Sequence, residues 1–348
     1  MKKMKAAVFY GPEDLRIEER DIPVIEEDEI LIKVEYCAIC GTDVRIYFNG
    51  QANVIPPRII GHEISGIIEE VGANITNYKK GEKVLLAPMI ACGKCEYCLN
   101  GNSNMCENQS IIGYEIDGGF AEYVKVPSAA VNGGNIIKLD DNANLLNSSI
   151  AEPLSCVING HKYLNIELGD SVLIIGAGPI GAMHAALSKA KGATKIILAD
   201  IQKDRLELAA QCGANYTIDS SKEDLIEKVN EITNGKGVDV AIAACSAPIA
   251  QNQAIEATRK CGKVSFFAGL PKGSSINSIN TNRAHYKEIS IFGAFGSTIP
   301  QHVTATELLN NNIVDANKLI TDVVSLDNII EGIKKVRSSK GIKTVVKM

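Results

Sequence analysis

Residues 172–181 read Val172-Leu173-Ile174-Ile175-Gly176-Ala177-Gly178-Pro179-Ile180-Gly181. The four apolar residues are typical of a buried strand, and they run directly into the spacing G-x-G-x-x-G and the helix-like residues 182–191. Glycines allow a tight turn and a close approach of the backbone, so that the amino end of the helix can bind a pyrophosphate. We therefore predict a dinucleotide-binding unit here, with a tight turn that binds no ligand as the less favoured alternative.

Two residues beyond the turn bear on which dinucleotide binds. Asp200 follows Gly181 by 19 residues, at the end of the apolar residues 196–199. A carboxylate there accepts hydrogen bonds from the ribose hydroxyls and repels a 2′-phosphate, which favours NAD over NADP. Arg205 could accommodate a 2′-phosphate, but we expect it to flank the adenosine. The predicted cofactor-binding residues are therefore Gly176, Gly178, Pro179, Ile180, Gly181, Asp200 and Arg205.

Strand-like and helix-like segments alternate after this turn, which predicts an α/β fold with a doubly wound parallel sheet. Predicted strands cover residues 195–199, 238–243, 263–268 and 288–293, and predicted helices cover 203–212 and 248–259. The first half is instead β-rich, with short apolar runs at residues 30–36, 64–71 and 120–126. The tail adds helices at 301–311 and 326–336 and a strand at 343–347.

Composition excludes several classes of protein. The 348 residues suggest about two domains. A net charge of −5 offers no basic patch for nucleic acid. The most apolar segment, residues 172–187, is interrupted by glycines, Pro179 and His184, so we expect no membrane span. The apolar run near the N-terminus is too short for a signal peptide, and we expect a cytoplasmic protein.

Four cysteines lie close together, at Cys92, Cys95, Cys98 and Cys106. Four thiolates at this spacing can meet at one tetrahedral Zn²⁺ and leave no position open for a substrate, which is typical of a structural site. A disulfide pair and buried, unbonded cysteines are the alternatives. We favour zinc because the intervening Gly93, Lys94 and Asn100 suit an exposed loop folded around a metal.

A second group of possible ligands is scattered over more than 110 residues, in the segments 40–43, 61–63 and 151–153. Cys40, His62 and Glu152 are of the types that bind zinc, and three protein ligands with one open position make a catalytic rather than a structural site. Each segment alone is weak evidence, because a single histidine beside a glutamate is more often a core or surface residue.

These motifs resemble those of the zinc-containing medium-chain dehydrogenases, especially the sorbitol, galactitol-phosphate and threonine dehydrogenase branch. The resemblance covers nearly the whole chain. In chain order it is carried by Cys40-Gly41-Thr42-Asp43, Gly61-His62-Glu63, the four cysteines, Gly118-Gly119-Phe120-Ala121-Glu122-Tyr123, Glu152-Pro153-Leu154 and the turn at Gly176.

The resemblance implies a GroES-like catalytic domain formed by residues 1–153 and 295–348, with a Rossmann NAD-binding domain at 154–294. It also implies that Cys40, His62 and Glu63 hold the catalytic zinc, with Glu152 binding it directly or through a water. Asp43 would orient His62, and Thr42 would relay the hydroxyl proton. Further along the chain, Ala268, Gly269, Leu270 and Phe295 would line the cofactor cleft.

The implied reaction is oxidation of a secondary alcohol of a polyol or polyol phosphate by NAD. This chain departs from the family pattern at two places, which limits what the resemblance implies about its reaction and substrate. Many members of the family carry a proton-passing histidine where this chain has Arg45, and animal sorbitol dehydrogenases carry an Arg-Tyr pair where it has Gly296-Ser297. Arg45 could instead pair with a substrate phosphate.

Other functions and the state of assembly remain open at this point. Threonine is a closely related alternative substrate, and a general secondary alcohol is another. A catalytically silent NAD-binding protein would not need the open set of Cys40, His62 and Glu152, and a zinc-free quinone reductase would lack the four-cysteine loop. We expect a homodimer or homotetramer, because the strand predicted at 288–293 would lie at a sheet edge and could pair across a two-fold axis.

Overall fold

The structure is a computed structural model that describes residues 2–271 and 273–348. It consists of two compact units. Unit 1 contains the described residues up to Ser155 with Ser297–Asn311 and Ile320–Met348, and unit 2 contains Cys156–Gly296 and Asn312–Leu319. These divisions fall two residues after the expected boundaries, and residues 312–319 lie in unit 2 although the expected catalytic domain included them.

Strands and helices alternate along most of the chain. The strands are β1 (Lys3–Gly11), β2 (Asp14–Asp21), β3 (Ile30–Ala38), β4 (Arg58–Ile59), β5 (Glu63–Val71), β6 (Lys83–Leu86), β7 (Met89–Ile90), β8 (Ser110–Ile111), β9 (Tyr123–Val126), β10 (Ile136–Lys138), β11 (Ser171–Ile175), β12 (Lys195–Asp200), β13 (Tyr216–Asp219), β14 (Val238–Ala243), β15 (Thr258–Phe266), β16 (Ser290–Gly293), β17 (Ile320–Ser325) and β18 (Lys343–Lys347). The helices are α1 (Gly41–Asn49), α2 (Glu96–Leu99), α3 (Ser128–Asn132), α4 (Leu145–Ser148), α5 (Ala151–Gly160), α6 (Pro179–Ala190), α7 (Lys203–Ala210), α8 (Leu225–Thr233), α9 (Pro248–Ala257), α10 (Thr281–Lys287), α11 (Ile299–Asn310), α12 (Ala316–Leu319) and α13 (Ile329–Arg337), with 3₁₀ turns at Ser103–Met105 and Leu326–Asn328.

Unit 1 is built around a sheet of order β10-β6-β5-β3-β18-β17, with β9 also pairing with β3. Most of its pairs are antiparallel, and β17 and β18 run parallel. The strands are rich in β-branched residues, and Ile30, Ile32, Ile64 and Phe120 are fully buried in the core. Each contributes about 1.5–3 kcal/mol relative to an exposed side chain. The sheet thus fixes the ends of β3, β5 and β18 relative to one another.

Unit 2 contains a six-stranded parallel sheet of order β13-β12-β11-β14-β15-β16. Counted from β11 this is the order 3-2-1-4-5-6 of a doubly wound dinucleotide-binding sheet. All five residues of β11 are buried, as expected for a central parallel strand covered on both faces. The predicted α/β class with a doubly wound sheet is confirmed.

Several boundaries differ from those predicted. The predicted helix 248–259 ends at Ala257, because residues from Thr258 onward enter β15. The predicted strand 288–293 begins only at Ser290, since Glu288 is the left-handed C-cap of α10 with φ of 51°. The strands β1, β2 and β13 and the helix α8 were not predicted. In β2 the sequence DLRIEERD is mostly charged, which masks the apolar signal of an edge strand.

No helix among residues 2–271 and 273–348 combines the length and the apolar character that crossing a membrane requires.

Candidate metal and dinucleotide sites

Cys40, His62 and Glu63 lie together at one end of the large sheet of unit 1. Cys40 follows β3 and forms the N-cap of α1, while His62 precedes β5 and Glu63 begins it. Glu63 pairs with Ala38 across β5 and β3, which brings it close to Cys40. One ligand atom from each residue lies within 4.8 Å of the other two. The fold therefore gathers three side chains that the sequence spreads over 24 positions.

Asp43 connects two members of this group. Its Oδ2 accepts a hydrogen bond of 2.8 Å from the backbone amide of Cys40, and its Oδ1 lies 3.5 Å from Nδ1 of His62. Asp43 is fully buried. Because Nδ1 of His62 faces this carboxylate, the other ring nitrogen is the one available to a metal.

The backbone before His62 needs a glycine. Gly61 has φ of 95°, and a Cβ atom there would lie 2.8 Å from the ring of the fully buried Phe120. L-residues rarely adopt this conformation. Gly61 therefore allows the chain to turn tightly against Phe120 and to direct His62 inward.

The electrostatics of the site favour a cation. Burial alone lowers the pKa of His62, but the neighbouring Tyr114, Asp43 and Cys40 outweigh it and raise that pKa well above its usual value. Burial raises the pKa of Glu63, with Lys343 opposing the increase and Glu152 adding to it. The polar groups around His62 and the burial of Glu63 therefore both favour binding of a positive charge, which a divalent metal would supply.

Lys343 contacts this group and was missed by the sequence reasoning. Its Nζ donates hydrogen bonds to Oε1 of Glu63 at 2.6 Å and to the carbonyl of Ile39 at 2.9 Å, and it is 3% exposed. Burial lowers the pKa of Lys343, but Glu63, Cys40 and Glu152 raise it overall, so the ammonium form is favoured. The terminal strand carries a lysine at each end, Lys343 and Lys347, and its sequence does not indicate that Lys343 is the buried one.

Glu152 lies in the first turn of α5 and is half-buried. Among the described residues it is outside the set whose ligand atoms lie within 4.8 Å of one another. Its charge nevertheless acts on Glu63 and Lys343, and also on Tyr114 and His302. Glu152 is thus a neighbour of the site rather than a member of its innermost group.

Two further residues of α1 that we expected near the metal site follow Cys40 closely in the chain. Thr42 is in the first turn of α1 and is partly buried. Arg45 is exposed, and its Nη2 donates a hydrogen bond of 2.8 Å to Oε1 of Gln51. Tyr114 is a further residue that was not foreseen, since its ring meets the His62 ring edge to face at 5.3 Å between centroids.

The four cysteines form a separate group in unit 1. One Sγ from each lies within 4.8 Å of all the others, and Cys95 Sγ is 3.5 Å from Cys98 Sγ and 3.9 Å from Cys106 Sγ. A tetrahedron of Zn–S bonds of about 2.3 Å has edges of about 3.8 Å, so these separations suit four zinc ligands. A disulfide needs an S–S distance of about 2.05 Å, and all ten cysteines are free thiols.

Backbone amides prepare these sulfurs for a metal. Hydrogen bonds from the amides of Cys98 and Glu107 lower the pKa of Cys95 to about 6. Those from Lys94 and Cys95 lower the pKa of Cys92. Burial raises the pKa of Cys98 to about 12, as does the neighbouring Cys95. A mixture of thiol and thiolate is expected of four close sulfurs before a cation neutralises them.

The glycine-rich turn of unit 2 joins β11 to α6. Gly176 has φ of 110°, and a Cβ atom on Gly181 would lie 1.8 Å from the carbonyl oxygen of Gly176, so only glycine fits there. Gly178 is the N-cap of α6 and Pro179 is in its first turn. The helix therefore presents its amino end at the carboxyl end of the sheet, where a pyrophosphate binds in folds of this order.

The two charged residues expected beside the turn do lie there. Oδ2 of Asp200 accepts a hydrogen bond of 2.6 Å from the amide of Ala177, and its Oδ1 accepts one of 2.9 Å from Gln202. The Arg205 guanidinium lies 3.4 Å from the position that a Cβ on Gly178 would occupy. Its Nε is buried and makes no hydrogen bond to the residues that the structure describes.

The remaining expected cofactor residues follow the carboxyl ends of neighbouring strands. Ala268, Gly269 and Leu270 come after β15, and the amide of Ala268 donates to the carbonyl of Ala243 at the end of β14. Phe295 follows β16 and is 59% exposed. All of them thus lie on the side of the sheet where ligands of doubly wound folds bind.

Two protein families and several named dehydrogenases match this chain. Residues 26–133 match the family model of the alcohol dehydrogenase GroES-like domain, and residues 179–311 match that of the zinc-binding dehydrogenases. Sorbitol dehydrogenase of Bacillus subtilis (strain 168) is 34% identical over 96% of this chain and 94% of its own length. The chain belongs to the zinc-containing medium-chain alcohol dehydrogenase family. L-Threonine 3-dehydrogenase of the same strain is 36% identical over 99% of this chain and 98% of its own.

The fold of this dehydrogenase is shared with solved structures. A chain from Sinorhizobium meliloti 1021, solved with NADP bound, has a TM-score of 0.93 at 29% identity, with full coverage of both chains. The predicted family, the GroES-like and Rossmann parts of the fold and the enzyme class are thereby confirmed. Zinc is the metal of this family, and the sulfur, imidazole and carboxylate donors described above fit it.

Proposed function

We propose that this dehydrogenase oxidises a secondary alcohol of a small polyol or polyol phosphate to a ketone, with NAD as the hydride acceptor. The observation that carries the proposal is the convergence of Cys40, His62 and Glu63. Three protein donors leave a position for a substrate oxygen, in contrast to the closed group of four cysteines. A zinc ion bound at such a site acts as a Lewis acid toward an alcohol.

The chain's own residues would bind and orient the reacting groups. Cys40 would supply a sulfur ligand from the N-cap of α1. Asp43 holds the His62 ring through Nδ1. Glu152 would assist directly or through a water, since its charge reaches Glu63. The Cys92, Cys95, Cys98 and Cys106 group would hold a second zinc that only stabilises its loop.

Thr42 would take the proton of the substrate hydroxyl and pass it on. It lies two residues after Cys40, in the first turn of α1. Thr42→Val removes the hydroxyl at nearly constant size, so we expect kcat to fall by roughly 10²-fold or more with two zinc ions per chain retained. Thr304→Val, which removes an exposed hydroxyl that donates to Pro300, is the control. Unchanged turnover of Thr42→Val would exclude the relay.

The preference for NAD is supported by Asp200. Its carboxylate stands at the end of β12 and close to the turn, where it repels a 2′-phosphate. The Sinorhizobium meliloti protein was solved with NADP, so both cofactors belong in the assay. A lower KM for NADP than for NAD would contradict the preference, and Arg205 would then be the residue to examine.

The substrate class is tested by one panel of assays. Reduction of NAD is followed with secondary alcohols, polyols, polyol phosphates and threonine, each with and without a metal chelator. We expect turnover of polyols or their phosphates that chelation abolishes and added zinc restores. Turnover that resists chelation, or that survives Cys40→Ala, would overturn the proposal.

Arg45 bears on whether the substrate is phosphorylated. It is exposed on α1 near the group and is held by Gln51, and a guanidinium suits bidentate contact with a phosphate. If Arg45 binds a substrate phosphate, Arg45→Ala raises KM for polyol phosphates and leaves KM for plain polyols unchanged. Equal use of both forms, with no effect of Arg45→Ala on either, would exclude a contact between Arg45 and a substrate phosphate.

Threonine 3-dehydrogenation is the second candidate, favoured by the 36% identity to a named threonine dehydrogenase. Threonine also carries a secondary hydroxyl, so the same zinc chemistry would oxidise it. Preferential turnover of threonine in the panel would select this candidate.

The assembly and location are further parts of the proposal. The strand β16 is one of the two edges of the six-stranded sheet, the other being β13, and a sheet edge supports pairing with a second copy of the chain. We therefore expect a homodimer or homotetramer by native mass spectrometry. None of the ten cysteines, all of which the structure describes, is in a disulfide, and cysteines without disulfides suit a reducing compartment, which supports a cytoplasmic location.

A further inference from the structure

A buried lysine faces the candidate catalytic metal site of unit 1. Lys343 is 3% exposed, and its Nζ lies 2.6 Å from both carboxylate oxygens of Glu63. Glu63 is one of the three residues whose ligand atoms converge. The two residues are 280 positions apart in the chain, so the contact depends on the tertiary fold.

The sheet register brings Lys343 to this place. Val345 of β18 pairs with Ala38 of β3, and Ala38 pairs with Glu63 of β5 on its other side. Just beyond, the amide of Ile39 donates to the carbonyl of Thr344, and Nζ of Lys343 donates to the carbonyl of Ile39. The lysine is therefore held by the backbone beside Cys40 as well as by Glu63.

Stability alone is a weak explanation for this pair. Removing two charges from water costs free energy that their mutual attraction only partly restores, and apolar replacements of buried pairs are often neutral or stabilising. The pair is instead placed where anionic groups are concentrated. Cys40 and Glu63 belong to the convergent group, Asp43 accepts the amide of Cys40, the charge of Glu152 acts on Glu63, and Lys343 contacts Glu63.

We propose that Lys343 is a positioning residue that holds both oxygens of Glu63 and so keeps this carboxylate from closing around the metal, which leaves a position there for the substrate. The inference rests on the proposed function. Without the lysine, the carboxylate can turn both oxygens to the metal and occupy the substrate's position. With a guanidinium in its place, a two-pronged fork matches both oxygens and withdraws the carboxylate from the metal.

The test is a series at this one position, made in the full-length protein with cobalt exchanged for the metal at the Cys40 site. In Lys343→Met we expect weaker visible absorption of cobalt, because an additional oxygen raises its coordination number, and slower release of cobalt to a chelator. In Lys343→Arg we expect faster release by roughly tenfold, the scale of changes in residues behind metal ligands. We expect the rate of cobalt release from wild type to lie between the rates of the two variants.

The opposite directions separate positioning from a structural role. A lysine that only supports the fold would give both variants faster release and a lower free energy of unfolding. Glu63→Gln supplies the second arm, because it removes the group through which Lys343 acts. In the Glu63→Gln background, Lys343→Met should leave the spectrum and the release rate unchanged.

Several results would overturn the inference. The first is identical cobalt spectra and release rates for wild type, Lys343→Met and Lys343→Arg. The second is a change in spectrum and release rate on Lys343→Met that is the same in the wild-type and Glu63→Gln backgrounds.

If Lys343→Met does not fold, Lys343→Arg still tests the inference, alone and in the Glu63→Gln background. Positioning predicts faster cobalt release at an unchanged free energy of unfolding when Glu63 is present and no effect when Gln replaces it. Faster release in both backgrounds, or together with a lower free energy of unfolding, would overturn the inference. Failure of wild type to bind metal at Cys40 would instead refute the proposed function.

Discussion

At the scale of single residues, the carboxylate of Asp43 contacts two candidate metal ligands. It accepts the amide of Cys40 at 2.8 Å and faces Nδ1 of His62 at 3.5 Å. The first contact fixes the start of α1, and the second fixes the orientation of the imidazole. A change at Asp43 therefore disturbs both ligands although it touches neither substrate nor metal.

The substitution Asp43→Asn tests this role. An amide keeps the shape but loses the charge that stabilises the imidazole, so we expect metal affinity at the Cys40 site to fall by about 10- to 100-fold. Competition with a chromogenic chelator measures it. Asp327→Asn, which removes an exposed carboxylate paired with Lys5, is the matched control. Equal affinities in the two variants would show that Asp43 does not act on the metal.

A second residue-scale feature is the buried histidine pair of unit 2. Nε2 of His161 and Nδ1 of His184 are 2.9 Å apart, and Phe267 packs edge to face on His184 at 4.6 Å between centroids. Burial lowers the pKa of His184 to about 3, and burial with the neighbouring His184 lowers that of His161 well below its usual value. Both rings are therefore neutral in the folded protein.

This pair predicts a loss of stability in mild acid. Below the unfolded-state pKa of about 6.5, the unfolded chain binds protons that the folded chain cannot, so the free energy of unfolding falls by about 1.4 kcal/mol per pH unit for each histidine. Denaturant titrations between about pH 7 and pH 5 should show a shallower dependence in His184→Gln than in wild type. His285→Gln, at an exposed position, should keep the wild-type dependence.

At the scale of elements, the strand–turn–helix of β11 and α6 was the part most fully predictable. Its signal is local, because the glycine spacing, the apolar strand and the helix all fall within about twenty residues. The limits of α9 and β16 were harder to predict. Residues 258 and 259 are compatible with either a helix end or a strand start, and pairing of β15 with β14 decides between them.

The turn itself yields a prediction. A Cβ atom on Gly181 would lie 1.8 Å from the carbonyl oxygen of Gly176, so Gly181→Ala must displace the turn from the helix. We expect the Kd for NAD to rise at least tenfold, with zinc content unchanged. Gly293→Ala, where a Cβ atom would meet open space, is the control. Wild-type NAD affinity in Gly181→Ala, measured by fluorescence titration, would exclude this turn from the cofactor site.

We expect the four-cysteine loop to depend on a bound zinc for order. The helix α2 has four residues and none is buried, and Tyr97, Leu99 and Met105 are 41%, 74% and 49% exposed. Little apolar contact remains to hold the loop once zinc leaves. Cys98→Ser should therefore lose one zinc per chain and gain protease cleavage within residues 92–106, as followed by mass spectrometry. Cys261→Ser, at an exposed thiol near Glu288, should do neither.

At the scale of the whole molecule, the open site marks the limit of sequence reasoning. Cys40, His62, Glu63 and Asp43 were anticipated through a family resemblance, since their spacing alone says little. Lys343 was not, because its partner is 280 positions away and no local pattern records the register of β18 against β3. Glu152 was predicted as a possible metal ligand, but it lies outside the group of Cys40, His62 and Glu63 whose ligand atoms converge.

The contact between Lys343 and Glu63 also imposes an order on how the enzyme is made. The four cysteines are all synthesised within a stretch of fifteen residues, so a nascent chain can capture zinc there early. Lys343 can contact Glu63 only after β18 has left the ribosome, and β18 is synthesised after all strands of the dinucleotide-binding sheet. A polypeptide released before that strand would carry its structural metal but an incomplete reaction centre.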